Sequence, residues 1–275
     1  MIKKKLIFWR RAMFKVDFHV HSHFSEDSDT PMDNMVKAAI REDVREICFT
    51  EHIDKDYPDK RFTFDLDLEG YGRELAAMKE RYEGQIKIHK GVELGVQPHV
   101  LDDYKTLLQQ EPFDFVICSL HAAKGLDLHN GDFFTGKELD QAYAEYYEEF
   151  LRCLGAFDQY SVLGHLDLVT RYRYEEGADL HLEIIEEIFK KIIPEGKGIE
   201  VNTSGYYYGL SRALPGREIL QLYKDMNGEI ITFGSDAHFP SRIAEAFDET
   251  MDLLKTIGFR YIATFEEMEP VFHKI

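Results

Sequence analysis

The chain has 275 residues, 44% of them hydrophobic, and a formal charge of -18 at neutral pH. That length buries one large core or two modest ones. With no Pro/Gly-rich linker or low-complexity tract, the expectation is one domain over 13–275. The acidity argues against nucleic acid as a main partner, because affinity for a polyphosphate backbone comes largely from Lys and Arg; bound cations would offset the charge locally, so a small phosphate substrate stays open.

Residues 1–12 read as an N-terminal extension. Lys3-Lys4-Lys5 precede only four apolar residues before Arg10-Arg11, too few for the apolar region of a signal peptide or for a membrane span. No membrane partner is expected, and either Met1 or Met13 fits as the start. Cys48, Cys118 and Cys153 form no close pair, so they predict no disulfide framework and suit a reducing cytoplasm.

From Met13 on, seven short apolar runs read as strands: 14–19, 46–50, 86–93, 113–119, 160–164, 198–201 and 229–233. Between them lie segments with helical periodicity. The first, 31–43, has Thr30 as N-cap and Pro31 at its first position. Segments 138–154, 182–193, 216–226 and 241–257 also repeat apolar residues at threes and fours, and the stripe Tyr143, Tyr146, Tyr147 and Phe150 reads as a helix face packed on a sheet. The stretch 53–70, rich in Asp, Lys and aromatics, reads as a loop over the mouth of a site. Strand and helix in alternation predict a parallel sheet with right-handed crossovers. The expected fold is α/β, a distorted seven-stranded relative of the (β/α) barrel, whose chemistry would lie at the C-terminal ends of the strands.

Those ends carry imidazoles and carboxylates in chain order: His19-Val20-His21, Thr50-Glu51-His52, Gly91-Val92-Glu93, Ser119-Leu120-His121, Gly164-His165 and Ser235-Asp236-Ala237-His238. Residues two apart on a strand share a face, so His19 and His21 point together, as do Asp236 and His238 if strand geometry persists. His-X-His alone is a weak signal. Five further strand ends bearing ligand-type residues make it a strong one, because imidazole suits zinc, iron and manganese and a carboxylate can bridge two ions.

These motifs, together with Asp17 and Ser25-Glu26-Asp27-Ser28, resemble the ordered motifs of the PHP (polymerase and histidinol phosphatase) superfamily from about Met13 to the end. Within it, His165-Leu166-Asp167-Leu168-Val169-Thr170-Arg171-Tyr172 and the segment 200–205 followed by Gly209-Leu210-Ser211-Arg212 are similar to the free-standing histidinol-phosphate phosphatases. The resemblance implies three divalent ions. His19, His21, Glu93 and Asp236 would hold the first, with Glu93 bridging to a second on His121 and His165; Asp27, His52 and His238 would hold the third. Some members have His where Asp27 stands. Zinc, iron and manganese all suit these ligands, and the sequence does not choose among them.

Coordination brings the pKa of water toward ~7, so a hydroxide bridging two ions can attack a phosphomonoester without a covalent intermediate. The implied reaction is hydrolysis of L-histidinol phosphate in histidine biosynthesis. Asp236 or His238 is placed to protonate the leaving alkoxide. Arg171 and Arg212 are candidate phosphate contacts, with ion pairing to acids such as Glu175 or Glu218 as the alternative. The acidic and aromatic loop 53–70 would meet the substrate's ammonium and imidazole. Two other readings stand beside this one: a PHP phosphoesterase acting on nucleotides or short oligonucleotides, and a noncatalytic metal-binding scaffold. The other histidines, His23, His89, His99, His129, His181 and His273, are expected to be structural or solvent-facing, with His23 the first exception and His129 able to line the mouth. The sequence leaves the oligomeric state open.

Overall fold

A computed structural model describes residues 14–275, so the expected extension 1–12 lies outside the described residues. Seven parallel strands run in chain order around the fold: β1 (Val16–Val20), β2 (Glu46–Ile53), β3 (Lys87–Gly95), β4 (Phe115–Ser119), β5 (Val162–Leu163), β6 (Gly198–Asn202) and β7 (Ile231–Gly234). The longest ladder joins β2 to β3, from Glu46 opposite Lys87 to Ile53 opposite Leu94. The circle closes without a continuous ladder: Val20 bridges Ala237, the His21 amide donates to the Ala237 carbonyl at 3.0 Å, and the Asp236 amide donates to that of His19 at 2.9 Å. A distorted seven-stranded (β/α) barrel results.

Helices α1 (Met32–Arg41), α2 (Leu68–Arg81), α3 (Leu101–Gln110), α4 (Leu139–Leu154), α5 (Leu182–Ile192), α6 (Arg217–Asp225) and α7 (Phe247–Ile257) lie between and after the strands. Tyr143, Tyr146, Tyr147 and Phe150 of α4 are wholly buried, as a helix face packed on the sheet requires, and the three cysteines are free and buried. Among the described residues no helix is long and apolar enough to cross a membrane.

Three local expectations are corrected. Thr30 does not cap α1; its hydroxyl donates to the His238 carbonyl at 2.9 Å, tying the loop after β1 to the loop after β7. The helix expected over 241–257 begins only at Phe247. The Ala244 amide is committed to Asp17 Oδ2 at 2.8 Å, and Ala244 and Ala246 take left-handed backbone angles, φ 52° and 54°. The loop expected over 53–70 ends early because Asp67 caps α2 through a 3.0 Å bond from the Gly70 amide. After α7 a hairpin of β8 (Tyr261–Glu266) and β9 (Glu269–Lys274) lies under the N-terminal end of the barrel, with Phe265 against Phe115 and Lys87 paired to Glu266 at 2.6 Å. The opposite end is left to the His and carboxylate residues.

Candidate metal centre

Strand register assembles the site around Glu93. This residue lies directly opposite His52 in the β2–β3 ladder, and its carboxylate is fully buried. Its two oxygens divide the surrounding imidazoles. Oε1 is 3.2 Å from His121 Nε2 and 2.9 Å from His165 Nε2, whereas Oε2 is 3.0 Å from His19 Nε2, 3.1 Å from His52 Nδ1 and 3.6 Å from His21 Nε2. One carboxylate thus faces two ligand sets, the arrangement a bridging group requires.

On the Oε2 side, Asp236 Oδ1 stands 3.3 Å from His21 Nε2 and 3.8 Å from His19 Nε2. Asp236 has a left-handed backbone, φ 56°, uncommon for a residue other than glycine and often found where function constrains the chain. Asp27 Oδ2 approaches His238 Nε2 at 3.2 Å and His52 Nε2 at 3.7 Å. His52 therefore stands between the Glu93 group and the Asp27 group. At this site the ligand atoms of each of three sets lie within 4.8 Å of one another: His19, His21 and Asp236; His52, Glu93 and His121; and His21, His52 and His238.

Electrostatics and hydrogen bonding both suit divalent cations. Burial opposes ionisation of Glu93, yet His19, His121 and His52 hold its carboxyl well below the usual range. Asp236 is likewise kept low against burial by His19, His21, His238 and Arg171. Burial, with His238 and His52 alongside, holds His21 well below its ordinary pKa and hence neutral. Asp27 overcomes burial to push His238 up to about 9. The polypeptide alone offsets these carboxylates with imidazolium charge. A divalent ion would displace those protons and leave the imidazoles neutral, as ligation requires. Buried His21 Nε2, His52 Nδ1 and His238 Nε2 have carboxylate oxygens 3.1–3.3 Å away yet no aligned hydrogen bond, which ligand nitrogens explain and core histidines would not. The donor set is that of a divalent-metal centre.

Behind the ligands lies a layer of carboxylates that the sequence analysis does not assign to the site. Glu200 Oε1 takes His19 Nδ1 at 2.6 Å, and Asp54 Oδ1 takes His121 Nδ1 at 2.7 Å. Ser25, 3.1 Å from His21 Nδ1, donates to Glu51 at 2.6 Å. Such partners set which ring nitrogen is free to bind a metal. Gly234 makes room for one of them, since a Cβ there would fall 2.1 Å from Glu200 Oε1 and 2.4 Å from His19 Cβ. The strand rule applied once more would have found Asp54, two residues beyond His52 on the same face.

A cavity of about 330 Å³ opens above the ligands, with Asp27, His52, His121, His165, Asp236 and His238 along it and Tyr57, Phe62, Phe64, Tyr172, Tyr207, Tyr208 and Phe239 around its sides. Arg171 lines it, 3.3 Å from Asp236 Oδ2 and 3.2 Å from Ser204 Oγ, its guanidinium over the Tyr208 ring at 4.4 Å. His129 also lines it, whereas His23 does not. For Arg212 the geometry favours the ion-pair alternative, with a different acid. The side chain turns away from the cavity to Asp167 Oδ2 at 2.9 Å and Thr170 Oγ1 at 2.8 Å, because buried Asp167 needs a counter-charge; neither Glu175 nor Glu218 is that partner.

This fold and cage define a class, the metal-centred hydrolase barrel, and the PHP domain family matches residues 17–204: the chain belongs to that family. Its relatives are more particular. It is 32% identical to the histidinol-phosphatase of Lactococcus lactis over 94% of this chain and 96% of that protein, and 28% identical to a probable histidinol-phosphatase of Clostridium acetobutylicum over 89% and 94%. The crystal structure of the Lactococcus lactis histidinol phosphate phosphatase, complexed with zinc, L-histidinol and phosphate, superposes with a TM-score of 0.85 at 30% identity, covering 94% of this chain and 100% of that one. A putative histidinol phosphatase from Listeria monocytogenes shares the fold, with a TM-score of 0.74 at 21% identity over 86% of this chain and 99% of that one.

Proposed function

We propose that this protein is a metal-dependent phosphomonoesterase that hydrolyses L-histidinol phosphate to L-histidinol and phosphate, a step of histidine biosynthesis in the cytoplasm. The observation that carries the reading is the Glu93-centred cage at the base of a cavity, in a chain 94% of which aligns with an enzyme crystallised with zinc, L-histidinol and phosphate. Three ions are assigned: one to His19, His21, Glu93 and Asp236, one to Glu93, His121 and His165, and one to Asp27, His52 and His238. Zinc, iron and manganese all suit these donors. Bound there, the ions would supply Lewis acidity and an activated water, the two requirements of direct phosphate ester hydrolysis.

The chain's own side chains do the rest. Arg171, held by Asp236, Ser204 and the Tyr208 face, presents a planar guanidinium to the phosphoryl oxygens. Asp236 and His238 both line the cavity, where either could take the proton given up by the attacking water and pass it to the leaving alkoxide. The aromatic sides limit the water that reaches the scissile bond. Replacing Arg171 with Met is expected to lower kcat/KM about 10- to 100-fold, the worth of a lost charge-assisted contact. Wild-type kcat/KM at unchanged metal content would remove Arg171 from the substrate.

The reaction itself is tested by phosphate release from L-histidinol phosphate beside other phosphomonoesters, nucleotides and a short oligonucleotide, with metal content measured on the same sample. Strong preference for histidinol phosphate, abolished by chelation and restored by metal, is the expected result. Preference for a nucleotide would move the protein to another PHP phosphoesterase, and metal-loaded protein inert on the whole panel would make it a scaffold.

A further inference from the structure

Asp54 carries a hydrogen-bonding capacity that its neighbours leave unused. It follows β2, is 5% exposed and lines the cavity. Oδ1 is occupied by His121 Nδ1 at 2.7 Å, but Oδ2 is buried with no hydrogen-bond partner, and His52 Nδ1 is 3.7 Å away. A buried carboxylate oxygen left unpaired is costly, so its place at a cavity wall points to a partner that arrives with the ligand. The opposing strand is shaped for it: Gly95 faces the carboxylate so closely that a Cβ there would lie 1.8 Å from Oδ1.

We propose that Asp54 is a specificity-determining residue whose free Oδ2 receives the ammonium group of the substrate. The inference rests on the histidinol-phosphatase reading for the identity of that cation. In a phosphorylated amino alcohol the ammonium nitrogen is only three bonds from the ester oxygen. With the phosphoryl group over the ligand cage, that nitrogen reaches a group beside the ligands and not one at the mouth. Asp54, in direct contact with His121, stands at that distance; the aromatic rings of Tyr57 and Phe64 beside it offer faces to the rest of the leaving group. Neutral or anionic leaving groups gain nothing from Oδ2 and leave it desolvated and unpaired, so the same oxygen also selects against them.

The test separates recognition of the cation from support of His121. In metal-loaded protein, Asp54→Asn is compared with wild type for kcat/KM on L-histidinol phosphate and on phenyl phosphate, and for the dissociation constants of L-histidinol and of inorganic phosphate. The expected result is a fall of about 10- to 100-fold in the ratio of the two kcat/KM values, with L-histidinol binding weakened by a similar factor and phosphate binding by much less. Gly95→Ala, which displaces the carboxylate without removing it, is expected to shift the ratio in the same direction. Equal losses on both esters, with reduced metal content and no selective loss of L-histidinol binding, would show that Asp54 acts only through His121 and would overturn the proposal. Wild-type protein inactive on L-histidinol phosphate would sink the functional reading first, whatever the variants do.

Discussion

Exchanging Glu93 for Gln is expected to cost at least about 1000-fold in kcat/KM, the scale of several kcal/mol that metal-borne stabilisation contributes, and to lower the metal content of the purified protein. The substitution keeps the side chain's shape and removes its charge. Both oxygens of Glu93 now face imidazole nitrogens, His121 and His165 on one side and His19, His52 and His21 on the other. An amide offers one acceptor and turns an NH2 toward nitrogens that must present lone pairs to a metal, so one of the two ligand sets is lost whichever way it flips. The barrel should survive, because the residue sits in the longest ladder of the sheet and Ser119 Oγ, 2.6 Å away, can hydrogen-bond either head group. Activity, metal analysis and circular dichroism on one preparation check this. A variant with full metal content and wild-type turnover would end the bridging role; one that mainly loses stability would favour a structural centre over a catalytic one.

Where the sequence was informative and where it was not follows from the range of the interactions. Seven strands could be placed because each is an apolar run, six of them with a ligand-type residue at the downstream end, and alternation along β1 put His19 and His21 on one face. Strand rules reach two residues and no further. They could not show that Arg212 would be taken by Asp167, 45 positions away, or that the Thr30 hydroxyl would be used by the His238 carbonyl, 208 positions away. Glu200 was missed for the same reason: it matters because it meets His19 across 181 positions. Helical periodicity over 241–257 was real, but a single long-range bond, the Ala244 amide to Asp17, bends the first turns out of the helix.

That bond belongs to the second large effect. Asp17→Ala is expected to destabilise the fold by about 3–5 kcal/mol, the cost of removing the centre of a buried, fully bonded carboxylate cluster. The β1–β7 junction is held by an isolated bridge, where the other neighbouring strands have ladders. Asp17 reinforces it. Fully buried, the carboxylate accepts the Ser235 amide at 2.9 Å, the Ser235 hydroxyl at 2.5 Å and the Ala244 amide at 2.8 Å. Burial pushes its pKa up to about 6 against the pull of those donors, so at neutral pH it is ionised and in its best accepting form. Alanine would strand two buried amides and a hydroxyl beside an empty volume. For a chain of this size the loss corresponds to a melting temperature lower by roughly 10 °C. Asp17→Asn, which keeps one acceptor oxygen in place, should lose less than Ala. The consequence for chemistry follows from position: Ser235 leads directly into Asp236 and His238, so opening this seam releases ligands of two of the three assigned ions, and metal affinity should fall with stability. Urea unfolding of both variants, with and without added metal, measures each part. A change below about 1 kcal/mol for Ala would mean the bridge closes the barrel unaided.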